Sequence, residues 1–297
     1  MDAGETNWVT ISVAAHKFMK PQIPELNLAF IGCGVMAESM IAGLLRKRVV
    51  EPANIFASHP REGRRSELEH KYGIAVFESN RDAALSVAGH ANSAVVLCIK
   101  PQRLQRVLDE LRGELHTEQL VISIVAGTHI EKLAGELGTA KIVRAMPNTP
   151  SQIGAGITAW TCTVAVEDIE RSHIRDILSA LGKELFVETE NMVDMATSLS
   201  ATGPTYIFMV MEALTDAGVH LGFSRDMAKE LVQETMLGSV KFAMESNKHP
   251  AELRNMVTSP GGTSAEAIYQ MEKGTLRTVL SKAVHAAYKR AVELGRK

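Results

Sequence analysis

The sequence is poor in cysteine, in aromatic residues and in net charge, and each shortage closes a class of function. Cys33, Cys98 and Cys162 are the only cysteines in 297 residues. An odd, scattered set with no C-x-x-C or H-E-x-x-H spacing anywhere in the chain excludes a disulfide framework and offers no metal site. They read as reduced core residues, two of them in apparent strands. Lys and Arg number 32 against 34 Asp and Glu, a formal charge of −2. Nothing in that balance calls for nucleic acid or an anionic membrane as partner. Long apolar runs are also missing. Val9 to Ala15 is too interrupted for a signal-peptide core and far too short to span a bilayer. Asp2 and Glu5, with no Arg before residue 26, argue against an organellar transit peptide. Residues 1–25 are therefore expected to be a flexible tail, and the cytoplasm the location. The remaining length suits one large or two medium domains.

What is present is organised around Leu26 to Leu45. Leu26, Leu28, Ala29, Phe30 and Ile31 form a short apolar run, as in a strand buried on both faces of a parallel sheet. Gly32, Gly34 and Ala37 follow as G-x-G-x-x-A, and Met36, Met40, Ile41, Leu44 and Leu45 recur at helical spacing. Gly32 permits the tight turn, Gly34 admits a pyrophosphate to the backbone, and Ala37 keeps the helix close to the strand. The helix N-terminus, with Val35 and Met36, offers free N–H groups and partial positive charge. The motif lies between a strand and a helix, the context it requires.

Downstream, short apolar strands alternate with helices: strands at 55–58, 75–77, 94–99, 120–125 and 141–145, helices at 80–88, from Pro101 through Leu111, and at 130–137. Strands at 156–163 and 184–188 flank a helix at 167–181. This alternation predicts an α/β fold with a doubly wound parallel sheet over 26–189. Ligands of such sheets bind outside the carboxyl ends of the strands, where an acid some twenty residues past the glycines marks NAD. Here that place reads Ser58-His59-Pro60-Arg61, with Arg64 and Arg65 behind. Hydroxyl and guanidinium groups suit a 2′-phosphate, so NADP(H) is favoured and NAD(H) possible; alternatively the arginines are the solvated start of the next helix. Lys100 and Pro101, and Asn148 in the rigid Met146-Pro-Asn-Thr-Pro150 loop, also lie at strand ends and join the candidate cofactor contacts. A plain turn is the other reading of that loop.

Beyond about Asn191 strands stop. Apolar residues at helical spacing mark a helical domain over 190–297, interrupted at Ser200-Ala-Thr-Gly-Pro204, where Pro204 should kink a helix or begin one. Asp226 is a candidate cap for the next helix. So much apolar surface, rich in Met and Ala, predicts a homodimer through this domain. Val257-Thr-Ser-Pro-Gly-Gly-Thr-Ser264 opens a further helix. Gly261, Gly262, Thr263 and Ser264 there present unobstructed N–H groups and hydroxyls, a receptor for a small carboxylate or phosphate. A simple cap would explain one hydroxyl but not two glycines.

Taken together these stretches resemble the pyrroline-5-carboxylate reductase family. The match runs from about Leu26 to the C-terminus and includes IGCGVMA at 31–37, CIKP at 98–101, MPNTP at 146–150, GPTYIF at 203–208 and HPAELRNMVTSPGGTS at 249–264. The resemblance implies a Rossmann domain, an all-helical dimerisation domain with interleaved helices, and commonly a ring of dimers. It implies NAD(P)H-dependent reduction of a cyclic imine carboxylate to proline. By matched position, the N–H groups of Gly262, Thr263 and Ser264 hold the carboxylate, and the Ser264 hydroxyl lies near the imine nitrogen, with Thr202 beside it. A protonated imine is already electrophilic, so positioning matters more than acid catalysis. No acid–base pair occurs in the motifs, and no histidine falls in a triad or metal-ligand pattern. The chain reads Ser200-Ala-Thr-Gly-Pro204 where the family usually has Ser-Gly-Ser-Gly-Pro. That change leaves open a related NADP-dependent reductase of another cyclic imine. A non-catalytic nucleotide-binding scaffold is the further alternative, against which the intact SPGGTS loop weighs.

Overall fold

The computed structural model describes Ile23 and residues 25–295. The expected tail lies outside these residues, apart from its last positions. Ile23 is 2% exposed and packs in the core, so packing begins before the expected boundary at 26.

The first half is built on eight strands: β1 (Asn27–Ile31), β2 (Ile55–Ser58), β3 (Ala75–Phe77), β4 (Ser93–Leu97), β5 (Leu120–Ser123), β6 (Ile142–Met146), β7 (Gly156–Cys162) and β8 (Gly182–Phe186). They form one sheet in the order β3-β2-β1-β4-β5-β6-β7-β8. Helices α1 (Val35–Arg46), α2 (Glu62–Tyr72), α3 (Asn80–Leu85), α4 (Leu104–Leu111), α5 (Ile130–Leu137) and α6 (Asp168–Ser179) connect or cover them. Strand alternation divides the core in two. Leu28 and Phe30 of β1 pack with α1 and α6 on one face, and Ala29 and Ile31 pack with α3, α4 and α5 on the other. Both faces of the central strands are buried, so they read as unbroken apolar runs.

The last two strands depart from the expected all-parallel sheet and run against the other six. β7 runs antiparallel to β6, while β7 and β8 are parallel to each other. A parallel return needs a crossover of a dozen or more residues. Only the short segment from Pro147 to Ala155, largely a 3-10 turn over Thr149–Ile153, joins β6 to β7. The chain must therefore turn back.

The second half is helical: α7 (Glu190–Ala196), α8 (Gly203–His220), α9 (Arg225–Ser246), α10 (Pro250–Met256), α11 (Thr263–Lys273) and α12 (Leu276–Gly295). A π-helical turn over Thr197–Ala201 separates α7 from α8, and Pro204 sits in the first turn of the new helix. Asp226 is not the cap of α9. Ser224 precedes the helix and its hydroxyl accepts from the Met227 N–H at 3.3 Å, while Asp226 lies inside the first turn, where its charge suits the helix dipole. Among the described residues from 203 onward, Ala228 and Ala291 are the only buried apolar residues, whereas Phe208, Met209 and Val240 stand exposed. α8 and α9 pack against each other, and α12 packs on α7 and the π-helical turn.

A buried ion-pair network ties the halves together. Arg144 of β6, 2% exposed, donates to Glu190 at 2.9 Å and to Asp194, both on α7. Glu190 also accepts the Ile130 N–H at the start of α5 at 2.8 Å.

Candidate active site

The turn between β1 and α1 is held from β2. Gly32 has φ +85°, and a Cβ there would lie 2.4 Å from the Ile99 side chain. Its N–H donates to the Ser58 hydroxyl at 3.1 Å, and the Cys33 N–H donates to the Ser58 carbonyl at 2.8 Å. A Cβ on Gly34 would meet nothing within 4 Å, so the space beside it is open. First-turn amides have no carbonyl behind them, which leaves those of Val35, Met36 and Ala37 at the positive end of α1. A pyrophosphate fits this cradle.

The cradle opens on a cleft in two joined parts along the carboxyl ends of the strands. The first, about 580 Å³, is lined by Gly32, Gly34, Val35, Met36, Lys100 and Pro101, with Met146, Pro147 and Thr149 at its far end. The second, about 660 Å³, runs toward α3 and α4 past Asn80, Val107 and Glu110. Gly32, Pro60, Ile99 and Arg103 border both and form its waist. The cleft crosses the β1–β4 boundary, where strand order reverses, the switch point at which such sheets bind dinucleotides.

The sequence candidates divide on this geometry. Gly32, Gly34, Val35, Met36, Lys100 and Pro101 line the cleft. Ala37 is fully buried and packs α1 against the sheet. Ser58 is fully buried as well. Its hydroxyl accepts from Gly32 and donates to Asn80 Oδ1 at 2.7 Å, so it holds the glycine turn and is not turned to the cleft. Arg64 is paired with Glu38 and Glu67, and Arg65 donates to the His59 and Pro60 carbonyls and to Glu78. Arg61, at the start of α2, is exposed and has no side-chain partner among the described residues. The Asn148 amide bridges the halves, donating to the Ser200 carbonyl at 3.3 Å and accepting the Ile157 N–H at 3.0 Å. Asn80, His59 and Arg103 also border the cleft and carry no motif of their own. Their only signal in the sequence is a place just beyond a strand end.

Electrostatics around the turn are fixed. Burial works to raise the Glu38 carboxyl, but hydrogen bonds from Lys71, Arg64 and Tyr72 outweigh it and hold the group at about 2. Burial lowers the His59 imidazole, and the Arg61, Arg64 and Arg65 guanidinium groups lower it further, which favours the neutral ring whose Nδ1 accepts the Arg61 N–H at 3.2 Å. Burial pushes the Cys33 thiol up to about 12 and raises Cys98, so these thiols stay protonated and inert.

The anion loop is built as a helix start. Gly261 has φ +69°, and Gly262 caps α11. The Gly262 N–H is not free for a carboxylate, because it donates to the Ser259 carbonyl at 3.0 Å. The first-turn amides of Thr263 and Ser264 and the Ser264 hydroxyl remain. Thr202 donates its hydroxyl to the Thr197 carbonyl at 2.9 Å across the π-helical turn. None of Thr202, Gly261, Gly262, Thr263 or Ser264 borders the cleft, whose lining ends at Gln152.

Fold and cleft define a Rossmann-type oxidoreductase with an appended helical domain. Residues 27–127 match the family described as NADP oxidoreductase, coenzyme F420-dependent, and residues 190–294 match the pyrroline-5-carboxylate reductase dimerisation family. A pyrroline-5-carboxylate reductase of Synechocystis is 38% identical over 272 residues, 92% of this chain and 99% of the relative. The structure of a pyrroline-5-carboxylate reductase from Coxiella burnetii superposes with a TM-score of 0.83 at 36% identity, covering 92% of this chain and all of that one. That of the Plasmodium falciparum enzyme, with NADP bound, gives 0.81 at 30% identity, covering 91% and 98%. The chain belongs to the pyrroline-5-carboxylate reductase family. It is an oxidoreductase of CH–NH bonds, reducing the cyclic imine of 1-pyrroline-5-carboxylate to L-proline, the last step of proline biosynthesis. The Ala201–Thr202 departure sits within that family.

Proposed function

We propose that NADPH is the preferred hydride donor, with NADH accepted less well, and that each active site is shared between two copies of the chain. The open α1 amides above the switch-point cleft carry the cofactor reading. The bound dinucleotide supplies the hydride from its nicotinamide ring. Val35, Met36 and Ala37 would bind the diphosphate through their amides, and Lys100, Pro101 and Asn148 would border the ribose and nicotinamide. No acid ends β2, and Arg61 is the guanidinium there without a carboxylate partner. It suits a 2′-phosphate.

Substrate needs a carboxylate receptor and a polar group at the imine nitrogen. The Thr263 and Ser264 amides, beside Gly261 and Gly262, serve the first, and the Ser264 hydroxyl serves the second. Thr202, with lone pairs left on its hydroxyl, forms the adjoining wall. The imine arrives protonated, so these groups orient it against the cofactor and need not transfer a proton before hydride arrival.

One chain does not bring these groups to its own cleft, and the helical domain exposes apolar faces that a second copy would cover. A homodimer in which the partner supplies the Ser264 loop reconciles both facts. The three free thiols suit a reducing compartment, the cytoplasm.

Subunit complementation tests the shared site. Gly34→Val fills the open cradle and Ser264→Ala removes the hydroxyl, so each homodimer should be inactive or nearly so. A heterodimer of the two should regain one working site, about half the wild-type turnover per dimer. No recovery in a verified heterodimer would show that the site lies within one chain.

A further inference from the structure

The waist of the cleft carries one cation that the motifs do not account for. Arg103 closes the 3-10 turn over Pro101–Arg103 that follows β4, and like Gly32 of the glycine turn it borders both parts of the cleft. Apart from Arg61, the neighbouring arginines are occupied. Arg64 pairs with Glu38 and Glu67, Arg65 with Glu78, Arg81 with Glu114 at 2.8 Å, and Arg106 with Glu110 at 2.9 Å. Arg103 is exposed and its guanidinium has no partner among the described residues.

Charge along the cleft argues for where its anion would sit. Glu78, Asp82 and Glu110 border the part toward α3 and α4 together with Arg81 and Arg106, whose guanidinium groups are already paired with Glu114 and Glu110, so that end offers a phosphate no unpaired cation besides Arg103. No carboxylate borders the other part, whose cations are Lys100 and Arg103. Lys100 reaches only that part, and Arg103 is the cation that shares the waist with Gly32. A dinucleotide laid along the cleft brings its diphosphate beside this waist, because Gly32, which opens the turn into the α1 amides, forms part of it. A guanidinium presents a planar fork that matches phosphate oxygens in pairs.

On the dinucleotide reading above, we propose that Arg103 is a cofactor-binding residue that grips the diphosphate from the waist of the cleft, while Arg61 alone reads the 2′-phosphate. The two arginines then divide affinity from selectivity. Arg103 strengthens NADPH and NADH alike, because both carry the diphosphate. Arg61 separates them.

Direct binding tests this division without turnover. Dissociation constants of NADPH and NADH for the full-length protein, read from nucleotide fluorescence, are compared for wild type, Arg103→Gln, Arg103→Lys and Arg61→Gln. Arg103 is exposed and unpartnered, so its variants should fold as wild type does. Arg103→Gln should weaken both nucleotides by the same factor, roughly tenfold, as loss of a charge-assisted contact predicts. Arg103→Lys should recover part of that loss for both, and Arg61→Gln should weaken NADPH alone. Weakening of NADPH alone by Arg103→Gln would overturn the proposal and make Arg103 a 2′-phosphate residue. Unchanged binding of both would overturn it and leave Arg103 a solvated surface cation. Failure of the wild type to bind either nucleotide would instead remove the dinucleotide reading beneath it.

Discussion

Ser58 shows how a single hydroxyl can serve a ligand without touching it. It accepts the Gly32 N–H and donates its own O–H to Asn80 Oδ1, and the Asn80 amide in turn donates to Glu110 at 2.6 Å. Removing it strands a buried amide and loosens the turn that sets the diphosphate cradle. Ser58→Ala should cost about 1–3 kcal/mol of stability, the usual penalty for a buried polar group left unpaired, measurable by urea unfolding. It should also weaken NADPH and NADH together. A loss confined to NADPH would mean that the hydroxyl turns outward to a 2′-phosphate when the cofactor binds. The sequence places Ser58 at the correct strand end, but its pattern records position along the chain and not the direction of a hydroxyl. The same limit applies to Asn148, legible as a loop residue at a strand end while its amide spans to Ser200, 52 positions away.

At the scale of elements, α1 and α2 are fastened by Glu38, which gathers Arg64, Lys71 and Tyr72 of α2 on one carboxylate. Its folded pKa of about 2 lies below its ordinary 4.5. Folding therefore gains stability from the ionised group at any pH above about 4.5, and loses it as pH falls toward 2. Glu38→Gln should be less stable than wild type at pH 7, with the gap narrowing between pH 5 and 2. A gap independent of pH, followed by denaturant midpoints, would remove the ion cluster as its cause. Most elements were legible because buried parallel strands and amphipathic helices carry their own periods, as in β2, β3 and α5, whose limits match the expected ones. The reversal of β7 was not, since a strand's period carries no direction and only the short Pro147–Ala155 link betrays it. The π-helical turn was half legible: Pro204 marks a break, but the π geometry of Thr197–Ala201 depends on tertiary partners. Its Ser198 carbonyl takes the Tyr206 hydroxyl at 2.9 Å, and its Ser200 carbonyl takes the Asn148 amide.

At the scale of the whole molecule, the two halves differ in what they need to be complete. The sheet closes its core on both faces within one chain, and the cleft is lined only by residues before 153. The helical half exposes Phe208 by 60% and Val240 by 57%, on helices that pack mainly on each other. Apolar faces of that extent are ordinarily covered by a partner. The two halves should thus respond differently to loss of assembly. A double variant, Phe208→Asp with Val240→Asp, places charges on α8 and α9 that a second copy could cover only at a desolvation cost. In sedimentation velocity the wild type should run as a dimer or a larger ring and the variant as a single chain. NADPH should still bind the variant with near wild-type affinity, since its cleft is intact, while imine reduction should fall at least a hundredfold because the Ser264 loop of a partner is gone. The unfolding midpoint of the wild type should rise with protein concentration and that of the variant should not. A single-chain variant that kept full turnover would refute both the shared site and the need for a partner, and the Ser264 loop would then have to reach its own cleft by a movement of the helical half about the π-helical turn.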